Sequence, residues 1–410
     1  MGVFKDFSWA RQADWLNGER LRVYAIMVLI GYAAAVIVML VTADGVMDAK
    51  GRPLGTDFSG VYTAGRLVVQ GAPEDAFAPQ AHYAEQQAFF QKPDTPFYGW
   101  HYPPMLLFIA ALLSLLPYSA ALMTWVGGTF AFYAAALRAV WPHGRWLLLA
   151  AAAPTTFITA LHGHNGFLTA ALMGFGLLFI RTRPILAGVC FGLMTYKPHL
   201  GVLIPFALMA VGAWRVIFSA GVTTIAVAAA AFAAFGADTW AAFFRYAAYT
   251  QDIVLETGGA GWFKIQSVFS AARMWGAPLE AAYGVQALSA LAAVAATLAV
   301  WRSQAAYGIK CAALCFAAPL ASPYLFEYDL VFLTIGVAFF IKEAETEGFR
   351  PWEKITLAAV VAYPLFARMM GLVFIPLTPF IMAAALGICL RRTPELGFAL
   401  QGLTPKRLQP

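Results

Sequence analysis

Charge is what this 410-residue chain has least of. Asp, Glu, Lys and Arg make up 12% of it and hydrophobic residues 61%, whereas a soluble domain carries about 25% charged residues. That scarcity excludes a soluble enzyme. Cysteine is also sparse: Cys190, Cys311, Cys315 and Cys389 all lie inside apolar runs and none in a long loop, so no disulfide is expected. Cys311 and Cys315 share a helix face, but no His or carboxylate joins them there, and no metal site is expected at that pair. The chain has no internal repeat, heptad array or low-complexity stretch, and it lacks the short alternating segments of a membrane barrel. No cleavable signal peptide is expected, because the first apolar run follows a charged lead over 1–20 and is long enough to stay as an anchor.

What is present is a series of apolar runs of about 15 to 20 residues, near the length that crosses a bilayer core. Backbone groups in lipid must be satisfied within their own segment, so these runs are expected to be helices. The net charge of +6 comes from basic residues at the ends of those runs, which fits topology signals rather than nucleic-acid binding. Spans are expected over 21–42, 165–180, 185–196, 199–213, 216–235, 281–301, 305–321, 329–341, 355–373 and 376–390. Arg181 with Arg183, Arg215, Arg302 with Lys310, Lys342 with Arg350 and Lys354, and Arg391 with Arg392 all fall on one side, taken as cytoplasmic. The lead, rich in Trp and Phe, is expected there as an interfacial helix. Residues 102–161 hold three apolar segments where parity permits two crossings, so one piece is expected to be re-entrant or half-length, with a break at Pro154. The total is about 12 spans in a single membrane domain over 1–410, with a long first periplasmic loop, 43–101, and a second large one, 236–280.

On this topology nearly every unusual polar cluster falls at the outer face, and polar groups at membrane depth tend to have a task. Asp57, in Thr-Asp-Phe-Ser-Gly-Val-Tyr62, opens a stretch with apolar residues at helical spacing, expected to lie flat on the membrane. Its carboxylate suits a helix N-terminus, and a plain N-cap suits it equally. His101-Tyr102-Pro103-Pro104 starts an apolar run, as an anchor or as a site. His162-Gly-His164-Asn165 brings two imidazoles, one ligand short of a zinc site; hydrogen bonding to a polar ligand is the preferred reading. Lys197-Pro-His199 divides two short apolar runs, where Lys197 either snorkels or meets an anionic phosphate. Arg245, Tyr246 and Lys264 accompany Gly258, Gly259 and Gly261 in loop 236–280, a composition that fits a phosphate binder or a mobile surface loop, but not a P-loop. Glu327 and Asp329, between Tyr324 and Tyr328 and the next apolar run, are placed to hold sugar hydroxyls or to cap a helix.

Taken together, Asp57 with Phe58, Gly60, Tyr62, Ala64 and Gly71, then His101-Tyr-Pro-Pro104, Gly163-His-Asn165, Lys197-Pro198 and Ser322-Pro323, the chain resembles the GT-C glycosyltransferases. Among them it is most similar to glycosyltransferase family 87, which includes a mycobacterial mannosyltransferase. The resemblance covers most of the chain in order and spacing. It implies an all-α polytopic GT-C fold with membrane-parallel helices in the first periplasmic loop. It also implies a polyprenyl-phosphate-linked monosaccharide donor, often mannose, used at the periplasmic face of a bacterial inner membrane without a nucleotide. The acceptor would be a glycolipid or glycan, with neither cofactor nor metal expected and no nucleic-acid partner. Asp57 matches the family's catalytic base. The cations expected to hold the donor phosphate are Lys197, His199, Arg245 and Lys264. Tyr62, His101, Tyr102, His162, His164, Asn165, Glu327 and Asp329 are expected to hold sugar or acceptor. The family's histidine-bearing turn near the last Ser-Pro is replaced here by Glu327-Tyr-Asp329. A transporter or flippase of lipid-linked sugars, or a polymerase or ligase at the same face, is the alternative. No matching pair of interrupted helices supports the transporter.

Overall fold

A computed structural model describes residues 8–142 and 144–394. Their regular structure is all helical, with no strand among them and only three isolated backbone bridges. Four helices are long and apolar enough to cross a membrane: Gly18–Val41, Tyr118–Val140, Trp214–Glu256 and Leu279–Arg302. A fifth crossing arises if the bent pair Glu353–Ala362 and Pro364–Leu372 is one span. Several of the other expected spans are helices of 10–17 residues, among them Gly166–Phe179, Pro184–Tyr196, Pro198–Ala210, Tyr307–Ala321 and Thr378–Arg391. By length and composition the described residues therefore supply four or five full crossings where about 12 were expected, the remainder being short apolar helices.

The small residues of Tyr307–Ala321 explain its place at the centre. Ala312, Ala313, Cys315, Ala317 and Ala318 let neighbouring backbones come close, and the helix is buried along nearly its whole length against Leu279–Arg302, Leu333–Glu347 and Thr378–Arg391. At the opposite extreme, Gly18–Val41 has no buried residue. Its Ile30, Val38 and Val41 stand exposed, as do Phe218, Val222 and Ile225 of Trp214–Thr250. A membrane-facing surface of this kind needs no protein partner, because lipid tails are as apolar as the side chains they meet.

Proline sets where the helices break. The segment 146–162 is two helices, Trp146–Ala152 and Pro154–His162, divided at the position where the sequence suggested a break. The expected span 355–373 is likewise two helices, bent by 70°, because Pro364 lacks an N–H and its ring collides with the preceding turn. The second loop departs from expectation in the other direction. Residues 236–250 continue the helix Trp214–Thr250, kinked at Gly236 (φ 80°), and a π-helical turn succeeds it over Gln251–Glu256. Alanine dominates 226–248, and its helix propensity outweighs the single glycine. Beyond it come the turn Trp262–Lys264 and the helix Val268–Met274. The first loop carries the expected helix, Thr56–Val69, whose Phe58, Val61, Tyr62 and Leu67 face the core. Of the interfacial lead, residues 1–7 lie outside the described residues, and the rest begins with the short helix Ser8–Gln12. Lead and core meet through Arg11 O, which accepts from Trp352 N at 2.7 Å, and the Asp14–Lys354 pair at 3.0 Å.

Candidate active site

The site grows from one buried turn. Pro154–His162 ends at Gly163, whose φ of 58° is the left-handed conformation that glycine adopts without strain. That reversal sends the two flanking imidazoles apart. His162 Nδ1 lies 2.6 Å from Thr56 Oγ1. His164 turns inward instead, with Nε2 3.0 Å from the Tyr102 hydroxyl and its ring stacked on Tyr328 at 3.7 Å between centroids. The two histidines do not converge, and among the described residues no group of three His, Cys, Asp or Glu side chains is placed to hold a metal.

Lys197 closes the ring. It ends the short turn Met194–Tyr196, and Pro198 starts the next helix. Its buried ammonium donates to Asp329 and, at 3.0 Å, to Asn165 Oδ1, and lies 3.4 Å from His164 Nε2. Asp329 belongs to the 3-10 turn Glu327–Phe332 and accepts from Phe326 N at 3.1 Å. A carboxylate and an ammonium, both almost fully buried, thus satisfy each other across 132 residues of sequence.

Beside this pair opens a cavity of about 420 Å³. Tyr102, His164, Lys197 and His199 form one wall; Tyr246, Thr250, Tyr283 and Tyr324 form much of the rest. His101 also lines it, stacked on Tyr246 at 5.5 Å and 3.2 Å from Thr250 Oγ1. His199 Nε2 is buried with no hydrogen-bond partner, as is Asn165 Nδ2. Imidazole, ammonium and phenol groups on an aromatic wall suit a ligand with both a polar head and apolar surface.

Asp57 sits one layer away. The left-handed Gly55 holds the cap position and Asp57 lies in the first turn of Thr56–Val69, so the simple N-cap reading does not apply. Its side chain keeps a little exposure, yet Oδ2 is buried and unpartnered. Burial pushes its pKa up to about 7, helped by the negative charge of Glu327 and opposed by Lys197. Asp57 is not part of the cavity lining; Tyr328 lines the cavity and its hydroxyl approaches Asp57. Of the three carboxylates gathered here, Asp329 is paired with Lys197 and Glu327 with Arg368, whereas no cation pairs with Asp57 among the described residues.

Several expected site residues are elsewhere. Tyr62 is a core residue: its hydroxyl donates to Leu116 O at 2.8 Å and its ring packs on Phe58, Phe89 and Tyr118. Arg245 is exposed and outside the cavity lining, because residue 246, about 100° further around the same helix, is the one that turns inward. Lys264 lies over Phe263, also outside the cavity. Glu327 is buried against Arg368, away from the cavity lining. Arg368 was not foreseen at all. It falls within the expected span 355–373, and an arginine inside an apolar run is itself a signal that could have found it.

The arrangement is that of a membrane protein with a polar cavity cut into its helices. The sequence pattern of glycosyltransferase family 87 matches residues 100–323, more than half of the chain, which therefore belongs to that family and is a glycosyltransferase. No curated protein and no solved structure matches it. The matched region begins at Trp100, so it takes in the cavity wall from His101 through Pro323 and leaves Asp57 and the Glu327–Asp329 turn outside.

Proposed function

We propose that the protein is an inverting GT-C transferase. It moves a monosaccharide, mannose in the first instance, from a polyprenyl-phosphate donor to a glycolipid or glycan acceptor at the periplasmic face of a bacterial inner membrane. The carrying observation is Asp57, the one unpaired carboxylate at the site, with a pKa pushed up to about 7. A general base works best when its pKa lies near the operating pH. The cavity has the chemistry for the donor: Lys197 and His199 face the phosphate, and the aromatic wall of Tyr246, Tyr283 and Tyr324 receives the sugar and the first units of the chain.

In a single displacement, the acceptor hydroxyl gives its proton to Asp57 as its oxygen attacks the anomeric carbon. The bond from that carbon to the phosphate oxygen breaks, and polyprenyl phosphate leaves with the electron pair. Lys197 offsets the charge gathering on the leaving phosphate, and His199 donates a hydrogen bond to it. One displacement inverts the anomeric centre, and no second carboxylate is needed on the opposite side of the bond. The test is the purified Asp57→Asn protein with labelled polyprenyl-phosphate mannose, and with the glucose and arabinose counterparts. Turnover should fall by roughly 10²-fold or more while donor binding persists. Near-normal transfer by Asp57→Asn would sink the assignment.

A further inference from the structure

Asp57 stands in the first turn of a helix whose middle is locked by close packing. A Cβ at Gly60 would lie 2.7 Å from Tyr98 O, and one at Gly65 2.0 Å from Ala110 O. The first turn is different. Its cap, Gly55, offers no side chain, and helix ends are the parts that fray. Two contacts steady it. Within the turn, Ser59 Oγ donates to Thr56 O at 2.6 Å. From outside, Thr56 Oγ1 and His162 Nδ1 share a hydrogen bond of 2.6 Å across 106 residues of sequence.

One helix backs both partners of that bond. Tyr118, Leu122 and Trp125 lie at i, i+4 and i+7 of Tyr118–Val140, a single face. The Tyr118 hydroxyl donates to Leu54 O at 2.6 Å, and Trp125 Nε1 donates to Gly163 O at 3.0 Å. Between them Leu122 packs on both glycines: a Cβ on Gly55 or Gly163 would lie 2.6 Å or 2.9 Å from its Cδ1. Leu54 and Gly55 lead into the Asp57 helix and Gly163 follows His162, so the Thr56–His162 bond closes a triangle whose other two sides are already held. His162 meets the base from a second direction as well. Its ring lies edge-on to Tyr328, 5.7 Å between centroids, and the Tyr328 hydroxyl approaches Asp57. The imidazole itself, expected to hold sugar or acceptor, lies outside the cavity lining.

We infer that His162 is a positioning residue: through Thr56 and Tyr328 it fixes the direction of the Asp57 carboxylate, without touching substrate. This rests on the transferase reading above, with Asp57 as base. A base must come within hydrogen-bond reach of the proton it takes. Releasing the first turn therefore slows transfer, while the cavity wall that holds the donor stays as it was.

The test is steady-state kinetics of the full chain, with labelled polyprenyl-phosphate mannose, glucose and arabinose as donors and a total membrane lipid extract as acceptor. His162→Phe keeps the ring against Tyr328 and loses Nδ1; Thr56→Val keeps the shape and loses the hydroxyl. Each should lower kcat about tenfold, the scale of one lost hydrogen bond, with the donor KM unchanged. The double variant should be no slower than either single, since both remove the same bond. His162→Asn returns an amide near the place of Nδ1 while removing most of the ring, and should recover most of the lost rate; Thr56→Ser should keep it. A packing role gives the opposite order, with Asn slower than Phe. That order, losses that multiply in the double variant, or a rate untouched in both singles overturns the inference. Should His162→Phe not fold, Thr56→Val removes the same bond from the other side. Near-normal transfer by Asp57→Asn sinks the base reading; near-normal transfer by His162→Phe and Thr56→Val in a protein that needs Asp57 sinks this inference alone. If none of the donors is used, hydrogen exchange of the amides of 58–62 decides: the two variants should speed it about tenfold, and an unchanged rate overturns the tether.

Discussion

Lys197→Met probes the charge balance at the heart of the site. The substitution keeps most of the side-chain volume and removes the ammonium that faces Asp329, a residue 1% exposed. Breaking a buried ion pair from one side costs about 3–5 kcal/mol, because the remaining charge is left uncompensated. Asn165 suffers as well. Its Oδ1 loses the 3.0 Å bond from Lys197 while its Nδ2 already lacks a partner, and a buried amide left unsatisfied costs about 1–3 kcal/mol. The expected loss is about 4–8 kcal/mol in all, a large part of the stability of a typical domain. Reversible unfolding in mixed dodecylmaltoside–SDS micelles measures it. Adding Asp329→Asn should restore about 3 kcal/mol or more, since the charge is gone and the amide oxygen still accepts from Phe326 N. A Lys197→Met protein within about 1 kcal/mol of wild type, or a double variant no more stable than the single, would refute the view of this pair as a buried, mutually dependent charge couple.

The transfer rate at limiting acceptor should rise with pH through about 7 and level off above it, because Asp57 acts as base only when ionised; Asp57→Asn should flatten that limb. Tyr328→Phe removes the hydroxyl that holds the Asp57 pKa down, so the limb should move to higher pH. Asp57 ionises less readily folded than at its ordinary value of 3.8, so its charge costs the native state stability that grows as pH rises from there to about 7. Asp57→Asn should therefore unfold at a higher temperature than wild type at pH 8, with the difference shrinking at pH 5; an equal Tm at both would count against the unpaired carboxylate. Gly65→Ala should cost about 1–3 kcal/mol through overpacking and lower turnover by displacing the Asp57 helix, since its Cβ would lie 2.0 Å from Ala110 O; unchanged stability would mean the crossing of Thr56–Val69 over Leu107–Ser114 is looser than the structure has it.

Much of the helical layout was legible from the sequence because its signals are local. Apolar runs of spanning length, the prolines that open Pro154–His162, Pro184–Leu193 and Thr378–Arg391, and the amphipathic spacing after Asp57 all act within a few residues. The number of full crossings was harder, since a run such as 165–180 reads alike whether it traverses a membrane or packs as a short buried helix. Motif residues that sit on turns, His164, Asn165 and Lys197, meet at the site. Those whose placement depends on helix phase were not legible: with 236–250 taken as loop, nothing distinguished Arg245 from Tyr246. Arg368 was hidden for a related reason, because the 70° bend at Pro364 carries it from the middle of an apparent span to the side of Glu327. The Lys197–Asp329 partnership joins two distant turns, and no spacing in a single sequence encodes it.

That partnership has a bearing on selectivity. On the proposed mechanism, the ammonium that greets a phosphate is already occupied by a carboxylate of its own chain. Entry of a donor is then an exchange of one anion for another, not the filling of an empty positive hole. A free phosphate ion from solution has little to offer in such an exchange, since it must displace a partner tethered at very high effective concentration. A phosphate on a long prenyl tail is itself confined to the bilayer, and the tail and sugar add contacts along the aromatic wall. The resting chamber therefore stays shut to the abundant small anions around it and yields to a ligand that arrives already concentrated in two dimensions.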